Sequence, residues 1–322
     1  MALLLKEDDV RSLLTMDACL AAVEEAFRLR AHGQAMVRPR TRMAMPDGTH
    51  QLMGGWVGGE INAFGLKSYG GPHKPGVRGG GMVVLLYDGE TSALLAILEG
   101  NLLGQIRTGA ASGVATRYMA REDARTVGII GTGRQAATQL EAVCKVRDIQ
   151  QMWVYSRGLE RRDAFAEEMA HRLDVPVTAV DTGEACVREA DIVVTITSAR
   201  EPVLEGAWLK EGTHINAAGG NHYLRRELDD EAIRRAALIT VDDLPQAQTE
   251  SGELMAAAAR GVLQWERVRE MADVVAGRIS GRTDAQAITL FESQGIGTWD
   301  VAAAMATYRA ARERGVGVEI AL

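Results

Sequence analysis

Several things are scarce in this chain, and each scarcity excludes something. The 322 residues contain only three cysteines, Cys19, Cys144 and Cys186. They are odd in number and have no metal-type spacing, which argues against a disulfide framework; each lies in an apolar helical context, as buried free thiols in a reducing cytoplasm would. The six histidines form no HExxH or HxxEH pair, so no metal site is expected. No apolar run approaches the ~18–20 residues of a membrane span. The first residues, Met1 to Asp9, place no basic segment before Leu3-Leu4-Leu5 and turn acidic at once, unlike a secretory signal. A basic surplus is missing too: the formal net charge is −7, the wrong sign for non-specific nucleic-acid binding. There is no internal repeat, low-complexity tract or long linker. The expectation is a cytoplasmic protein with neither a nucleic-acid nor a membrane partner.

What the chain does have is a fingerprint. In Thr126-Val127-Gly128-Ile129-Ile130-Gly131-Thr132-Gly133-Arg134-Gln135-Ala136 a short apolar run meets a Gly-x-Gly-x-x-Ala turn, and a helical pattern follows through Gln139, Leu140 and Val143. Met152 to Tyr155 reads as the next strand, completing a βαβ unit of about 30 residues. In such a unit Gly131 allows the tight turn, Gly133 lets the backbone approach a pyrophosphate, and Ala136 permits close helix–strand packing. The helix N-terminus offers unpaired N–H groups to the phosphates. The second strand bears on which coenzyme. Where an NAD-specific site wants a carboxylate, this chain has Ser156-Arg157, followed by Arg161-Arg162. A hydroxyl and a guanidinium suit a 2′-phosphate, so NADP(H) is favoured over NAD(H).

Further short apolar runs, at 175–180, 191–197, 214–218 and 237–241, alternate with helical stretches, the pattern of a parallel sheet covered on both faces. Such sheets bind ligands beyond the carboxyl ends of their strands, which points to the loops at Thr197-Ser198, Gly219-Gly220-Asn221 and Ser293-Gln294-Gly295. The N-terminal portion has a different texture. Residues 15–32 read as a helix capped by Thr15 or Asp17 and ended by Gly33. From Arg38 to Met82 short β-like runs are broken by Gly54-Gly55, Gly58-Gly59, Gly70-Gly71 and Gly79-Gly80-Gly81, which predicts tight turns at the glycines. Strands at 83–87 and 92–99 flank an Asp88-Gly89 turn, and 101–119 is a helix with one small-residue side. A last helix, 300–314, is expected to pack back on the N-terminal half. The fold class is therefore α/β: a Rossmann-type parallel-sheet domain over 120–296, plus an α+β domain for substrate and dimerisation from 1–119 with 297–322.

Among individual residues, Lys67 lies between apolar neighbours (Phe64, Leu66, Tyr69), and a buried lysine has a lowered pKa and can exchange protons. Arg38, Arg40 and Arg42 alternate along a strand and so should face one way. Arg107 opens a small-residue helix, where an anion would suit it. His214, inside a strand, reads as a satisfied core histidine; His73 and His222 are loop histidines with no assigned role.

Gly65-Leu66-Lys67-Ser68, Ile106-Arg107-Thr108-Gly109-Ala110-Ala111-Ser112, the Gly131 turn and Gly212 to Gly220, taken in this order from about Arg38 to Gly297, resemble the ornithine cyclodeaminase/mu-crystallin family. The resemblance implies a homodimer. It implies that Arg42 and Lys67 hold a substrate carboxylate, that Arg107 meets the coenzyme phosphates or that carboxylate, and that Arg134, Gln135, Ser156, Arg157, Thr197, Ala218, Gly219 and Ser293 contact the coenzyme. Two positions depart from the cyclodeaminase pattern. The aspartate after the Gly-Gly pair is Asn221, and the glutamate before Leu-Met is Gln51. An amide can take neither a proton nor the charge of an ammonium. Ornithine cyclisation is thereby put in doubt, while hydride transfer at a Cα–N bond, whose chemistry belongs to the coenzyme, is untouched. The expected function is an imine reductase or amino-acid dehydrogenase on a small amino or imino acid, with Lys67 and Asn221 catalytic. The alternatives are a true cyclodeaminase and a non-catalytic NADP-dependent binding protein.

Overall fold

The computed structural model describes residues 1–72 and 80–321. His73 and the first glycine of the run at 79–81 lie outside them. The chain divides into two compact units, Met1–Arg107 with Ile296–Leu322, and Thr108–Gly295.

The first unit opens with β1 (Ala2–Leu5), α1 (Glu7–Leu13) and α2 (Met16–Ala31). Thr15 caps α2 by accepting from the Ala18 N–H, and Gly33 turns the chain out of it with φ 71°. An antiparallel meander follows: β2 (Ala35–Met45), β3 (Gly48–Val57), β4 (Ala63–Pro72), β5 (Val83–Asp88) and β6 (Leu94–Glu99). The strands at 48–57 and 63–72 run straight through Gly54-Gly55 and Gly70-Gly71, where turns were expected. The reason is close packing. A Cβ on Gly55 would lie 2.6 Å from the Thr298 nitrogen, and one on Gly297 2.5 Å from the Gly54 oxygen. Those glycines let the terminal helix press against the sheet. Gly58-Gly59, by contrast, does lie in a turn, Gly59 with φ 58°. The Asp88-Gly89 hairpin is longer than two residues; the Asp88 carboxylate accepts from the Glu90 and Thr91 N–H groups.

Helix α3 (Asn101–Met119) begins in the first unit and continues in the second. The division falls at Arg107, not at residue 119, because the later turns of α3 belong with the parallel sheet: the Asn216 amide donates to Thr116 Oγ1 (2.9 Å), and Arg147 caps the helix end through the carbonyls of Thr116, Arg117 and Ala120. The second unit then runs β7 (Thr126–Ile130), α4 (Ala136–Val146), β8 (Gln151–Tyr155), α5 (Leu159–Leu173), β9 (Val177–Ala179), α6 (Gly183–Val187), β10 (Ile192–Thr195), β11 (His214–Ala217), α7 (Asp230–Arg235), β12 (Ala236–Val241), α8 (Leu244–Glu250), α9 (Gly252–Ala259), β13 (Val268–Glu270), α10 (Met271–Val275) and β14 (Ile288–Glu292). The eight strands are parallel, in the order β13-β12-β14-β11-β10-β7-β8-β9. The order reverses between β7 and β10, the topological switch point at which doubly wound sheets bind ligands. Strand β14, fully buried between β11 and β12, carries no alternation and was not expected as a strand.

The chain returns to the first unit with α11 (Gly297–Arg314) and β15 (Val318–Ile320). The latter completes a seven-stranded sheet in the order β15-β1-β6-β5-β4-β3-β2. Helices α11 and α2 cover one face of it, with Trp299 edge-on to Phe27 at 5.2 Å. Cys19 and Cys186 are buried and Cys144 partly so, all free. Among the described residues no helix is long and apolar enough to cross a membrane.

Candidate active site and coenzyme crevice

In the first unit the covered face of the sheet holds a buried ionic group. Lys67 on β4 is 2 % exposed, donates to Asp300 Oδ1 at 2.9 Å and is ion-paired with Oδ2 at 2.8 Å. Arg107 Nε donates to the same carboxylate at 2.9 Å and its guanidinium stands 5.8 Å from the Trp299 ring. Burial, and then the charge of Arg107, push the Lys67 pKa down to about 7 against the pull of Asp300; Arg40 adds to the lowering. Asp300 is held below the usual carboxylate range by Arg107 and Lys67, which outweigh its burial. A lysine poised near neutrality among further cations can exchange a proton and attract an anion.

Register explains which arginines join it. In β2 the pairing passes from Arg38 opposite Gly54 to Thr41 opposite Leu52, a bulge at Pro39-Arg40. The extra residue breaks the alternation, so the three arginines do not face one way. Arg42 is opposite Gln51, which is opposite Tyr69, two residues from Lys67; directly opposed residues share a face, which sets Arg42 on the Lys67 face. Arg38, opposite Gly54 and in line with Leu66, faces away and is exposed. Arg40, given no role in the sequence reading, is buried and close enough to bear on Lys67. Gln51 Oε1 accepts from the Tyr69 hydroxyl at 2.9 Å. Asp300 was missed outright: it lies 233 residues from Lys67 and has no local motif. Its only sequence signal is an acid among the small apolar residues of the last helix.

In the second unit the switch point opens into a cavity of about 470 Å³, lined by Gly131 and Gly133, by Ser156, Arg157 and Arg161 after β8, and by the loop from Ile196 to Val203. That is within the usual size of cofactor sites. The two glycines are constrained differently. Gly131 has φ 114°, and a Cβ there would meet the Ile196 oxygen at 2.6 Å, so the turn itself needs glycine. A Cβ on Gly133 would meet nothing closer than 4.0 Å. The protein leaves that space open, and it is what a pyrophosphate over the α4 N-terminus would fill. The residues present therefore fit a dinucleotide.

The structure brings six expected coenzyme residues to this crevice: Gly131, Gly133, Ser156, Arg157, Arg161 and Thr197. Arg161 also donates to the Thr132 carbonyl at 2.9 Å, tying β8's helix to the turn. Arg134 and Gln135 follow the turn without lining the cavity. Ala218 and Gly219 lie on the loop after β11, and Ser293, buried after β14, donates to Asp242 at 3.2 Å. Arg107 is not in the lining; it belongs to the Lys67–Asp300 group. Arg162 is buried and bound to Asp163 and Asp181, both at 2.9 Å, a structural pairing. Asn221 accepts from Arg225 at 3.2 Å. His214 donates to or accepts from Thr289 (2.9 Å) and Asn216 (3.3 Å), and burial pushes its pKa down to about 3, the satisfied neutral core histidine that was expected.

The profile of the ornithine cyclodeaminase/mu-crystallin family matches residues 1–315. The chain belongs to this family. An alanine dehydrogenase of Archaeoglobus fulgidus is 35% identical over 99% of this chain and 98% of its own. Among solved structures, the Thermococcus litoralis Δ1-pyrroline-2-carboxylate reductase in complex with NADH and L-proline matches with TM-score 0.93 at 37% identity, covering 99% of this chain and 100% of that one. An archaeal alanine dehydrogenase dimer with bound NAD matches with TM-score 0.92 at 34% identity over 99% of both chains. As a family member with these relatives, the chain is an NAD(P)-dependent oxidoreductase acting on carbon–nitrogen bonds.

The two crevice glycines give a paired prediction. Gly133→Val should leave unfolding by urea near wild type while weakening NAD(P)H binding by about tenfold or more, the loss of one or two charge-assisted hydrogen bonds. Gly131→Ala should cost about 1–3 kcal/mol of stability through its backbone alone. Tight coenzyme binding by Gly133→Val in a fluorescence titration would remove the pyrophosphate from this turn.

Proposed function

We propose that the protein reduces the C=N bond of a small, uncharged-side-chain α-imino acid, and oxidises the matching amino acid in reverse, with Lys67 as proton donor and acceptor. The observation that carries this reading is the buried Lys67–Asp300–Arg107 group, a proton-exchanging lysine set among cations that suit an α-carboxylate. Arg42 on the same sheet face and Arg107 hold that carboxylate; its negative charge offsets Arg107 and Arg40, and so favours the ammonium form of Lys67 once the acid is bound. Lys67, or a water it orients, protonates the nitrogen in reduction and takes the proton back in oxidation. Asn221 hydrogen-bonds the imine or amine. Bound coenzyme supplies the hydride; the protein's part is to hold the reacting carbon within ~3–3.5 Å of its donor. Gln51 is satisfied by Tyr69 and Asn221 by Arg225. Neither position offers a carboxylate for a second ammonium, which favours monoamino substrates over ornithine.

For the coenzyme, the crevice rim supports NADP(H): Arg157, Arg161 and Arg200 line it against a single carboxylate, Glu201, and Ser156 offers a hydroxyl. For the assembly, a second copy of the chain is the occupant that fits the outer face of the first unit's sheet. Met36, Trp56, Phe64 and Tyr87 stand opposite one another across four strands, with Phe64 stacked on Tyr87 at 4.7 Å. Met36 and Leu66 are 55% and 41% exposed. An apolar patch of this kind is covered in solution, and the archaeal alanine dehydrogenase is a dimer. Three free thiols suit a reducing cytoplasm.

Four outcomes are expected. Lys67→Met should lower turnover by about 10²–10⁴-fold with coenzyme affinity unchanged. In the wild type, kcat/KM for reduction should fall as pH rises through about 7, where Lys67 loses its proton, while kcat/KM for oxidation should rise over the same range; a flat profile, or an active Lys67→Met, rules out the lysine as the proton carrier. Arg157→Ala should weaken NADPH by about tenfold or more and NADH far less, and equal losses would leave no phosphate recognition. Leu66→Arg should convert a dimer into a folded monomer by light scattering; an unchanged mass assigns the apolar face to something else.

A further inference from the structure

Behind the crevice lies a carboxylate that contacts no ligand space yet holds the crevice wall at several points. Glu227, fully buried, accepts from the Thr197 N–H at 2.6 Å, the Gly219 N–H at 2.8 Å and Thr195 Oγ1 at 3.0 Å. Thr197 opens the loop that lines the cavity opposite the Gly131 turn, and Gly219 opens the loop after β11. One side chain therefore ties together the carboxyl ends of β10 and β11. Its backbone completes the clasp. The Glu227 carbonyl accepts from Val203 (2.8 Å) and Leu204 (3.0 Å), where the wall loop ends, and the Arg226 N–H donates to the Ala199 carbonyl at 3.1 Å in its middle. A loop with backbone N–H groups satisfied from one residue at both ends has little freedom to change shape.

We propose that Glu227 is a positioning residue for the coenzyme: by gripping the Thr197 and Gly219 N–H groups at once, it fixes the 196–203 wall in the shape that accepts the dinucleotide. Two further buried carboxyls face it. Glu253 on α9 accepts from the Glu227 N–H at 3.4 Å, its other oxygen has no hydrogen-bond partner, and a Cβ on Gly220 would lie 3.3 Å from it. Glu292, at the end of β14, accepts from Ser251 (3.1 Å) and Gln294 (2.9 Å). The charged groups bearing on Glu253 and Glu292 are Glu227, Arg226 and Asp242. Like charges in one buried site cannot all ionise. Burial raises the Glu227 carboxyl, and the N–H groups of Thr197 and Gly219 with the Thr195 hydroxyl work against that by favouring its negative charge; burial and the Glu227 charge push Glu253 up to about 8, and burial with Glu253 and Glu227 pushes Glu292 well above the carboxylate range. The sign follows. Below about 8 Glu253 is neutral and the grip is intact. Above it a second negative charge forms against Glu227 and Gly220, and the two loops are pushed apart.

The test reads coenzyme affinity in the absence of any amino or imino acid, so it depends on the crevice and not on the assignment of Lys67. Glu227→Gln keeps the shape but leaves one acceptor where two N–H groups need one each. NADH and NADPH Kd should both rise by about tenfold, with circular dichroism and thermal unfolding near wild type; Glu227→Asp, which retains both acceptors on a shorter arm, should recover part of the loss. In the wild type Kd should rise as pH passes about 8, and Glu253→Gln should remove that alkaline limb. Wild-type affinity in Glu227→Gln overturns the proposal. So does a Kd restored fully once affinity is corrected for the folded fraction, the mark of a merely structural role. If Glu227→Gln does not fold, the pH series decides: an alkaline limb that persists in Glu253→Gln also overturns it.

Discussion

A lysine ammonium taken out of water costs several kcal/mol unless it is paired, and the architecture of the first unit is organised around meeting that cost. Asp300 supplies the pairing, and it reaches Lys67 because α11 lies unusually close to the sheet. The closeness depends on Gly55 and Gly297, where any side chain would collide with backbone. The same approach buries Trp299 against Phe27 and under Arg107. Local backbone geometry, helix packing and the protonation of one amine are thus a single chain of cause. The residual electrostatic imbalance, with Arg107 and Arg40 both bearing on Lys67, is unfavourable in isolation.

The second unit shows the same economy at the ends of parallel strands. Loops leaving the carboxyl edge of such a sheet expose N–H groups that no ladder satisfies. Here buried carboxylates take them: Glu227 for the loops after β10 and β11, Asp242 for Gln294 and Gly295 after β14. Acidic side chains behind a crevice that holds an anionic dinucleotide look contradictory until their direction is considered. They face the backbone of the loops, while Arg157, Arg161 and Arg200 face the cavity. With its relatives the chain shares NAD(P)-dependent chemistry at carbon–nitrogen bonds.

Much of the coenzyme half was legible from local pattern. The Gly131 turn requires a positive φ that only glycine adopts readily, and strand–turn–helix spacing declares itself over a dozen residues. His214 could be read as core because a parallel sheet binds its ligand beyond the carboxyl ends of its strands. The parallel strand β14 was not legible, since five residues buried on both faces, Thr289 and Glu292 among them, have no period to detect. In the first unit the glycine pairs misled for a related reason. Glycine marks either a turn or a close approach, and only the partner that approaches tells them apart.

Alone, therefore, the sequence determined the family, the two kinds of sheet, the dinucleotide turn and the burial of Lys67 among apolar neighbours, because each rests on contacts within a few residues or on a motif with a local mechanism. Tertiary structure decided the rest. Asp300 meets Lys67 across 233 residues, a single bulge at Pro39-Arg40 decides which arginines share the face of Lys67, and Glu227 clasps the loop at Thr197, 30 positions before it. Such pairings depend on register and helix approach in three dimensions, quantities to which no short window of sequence is sensitive.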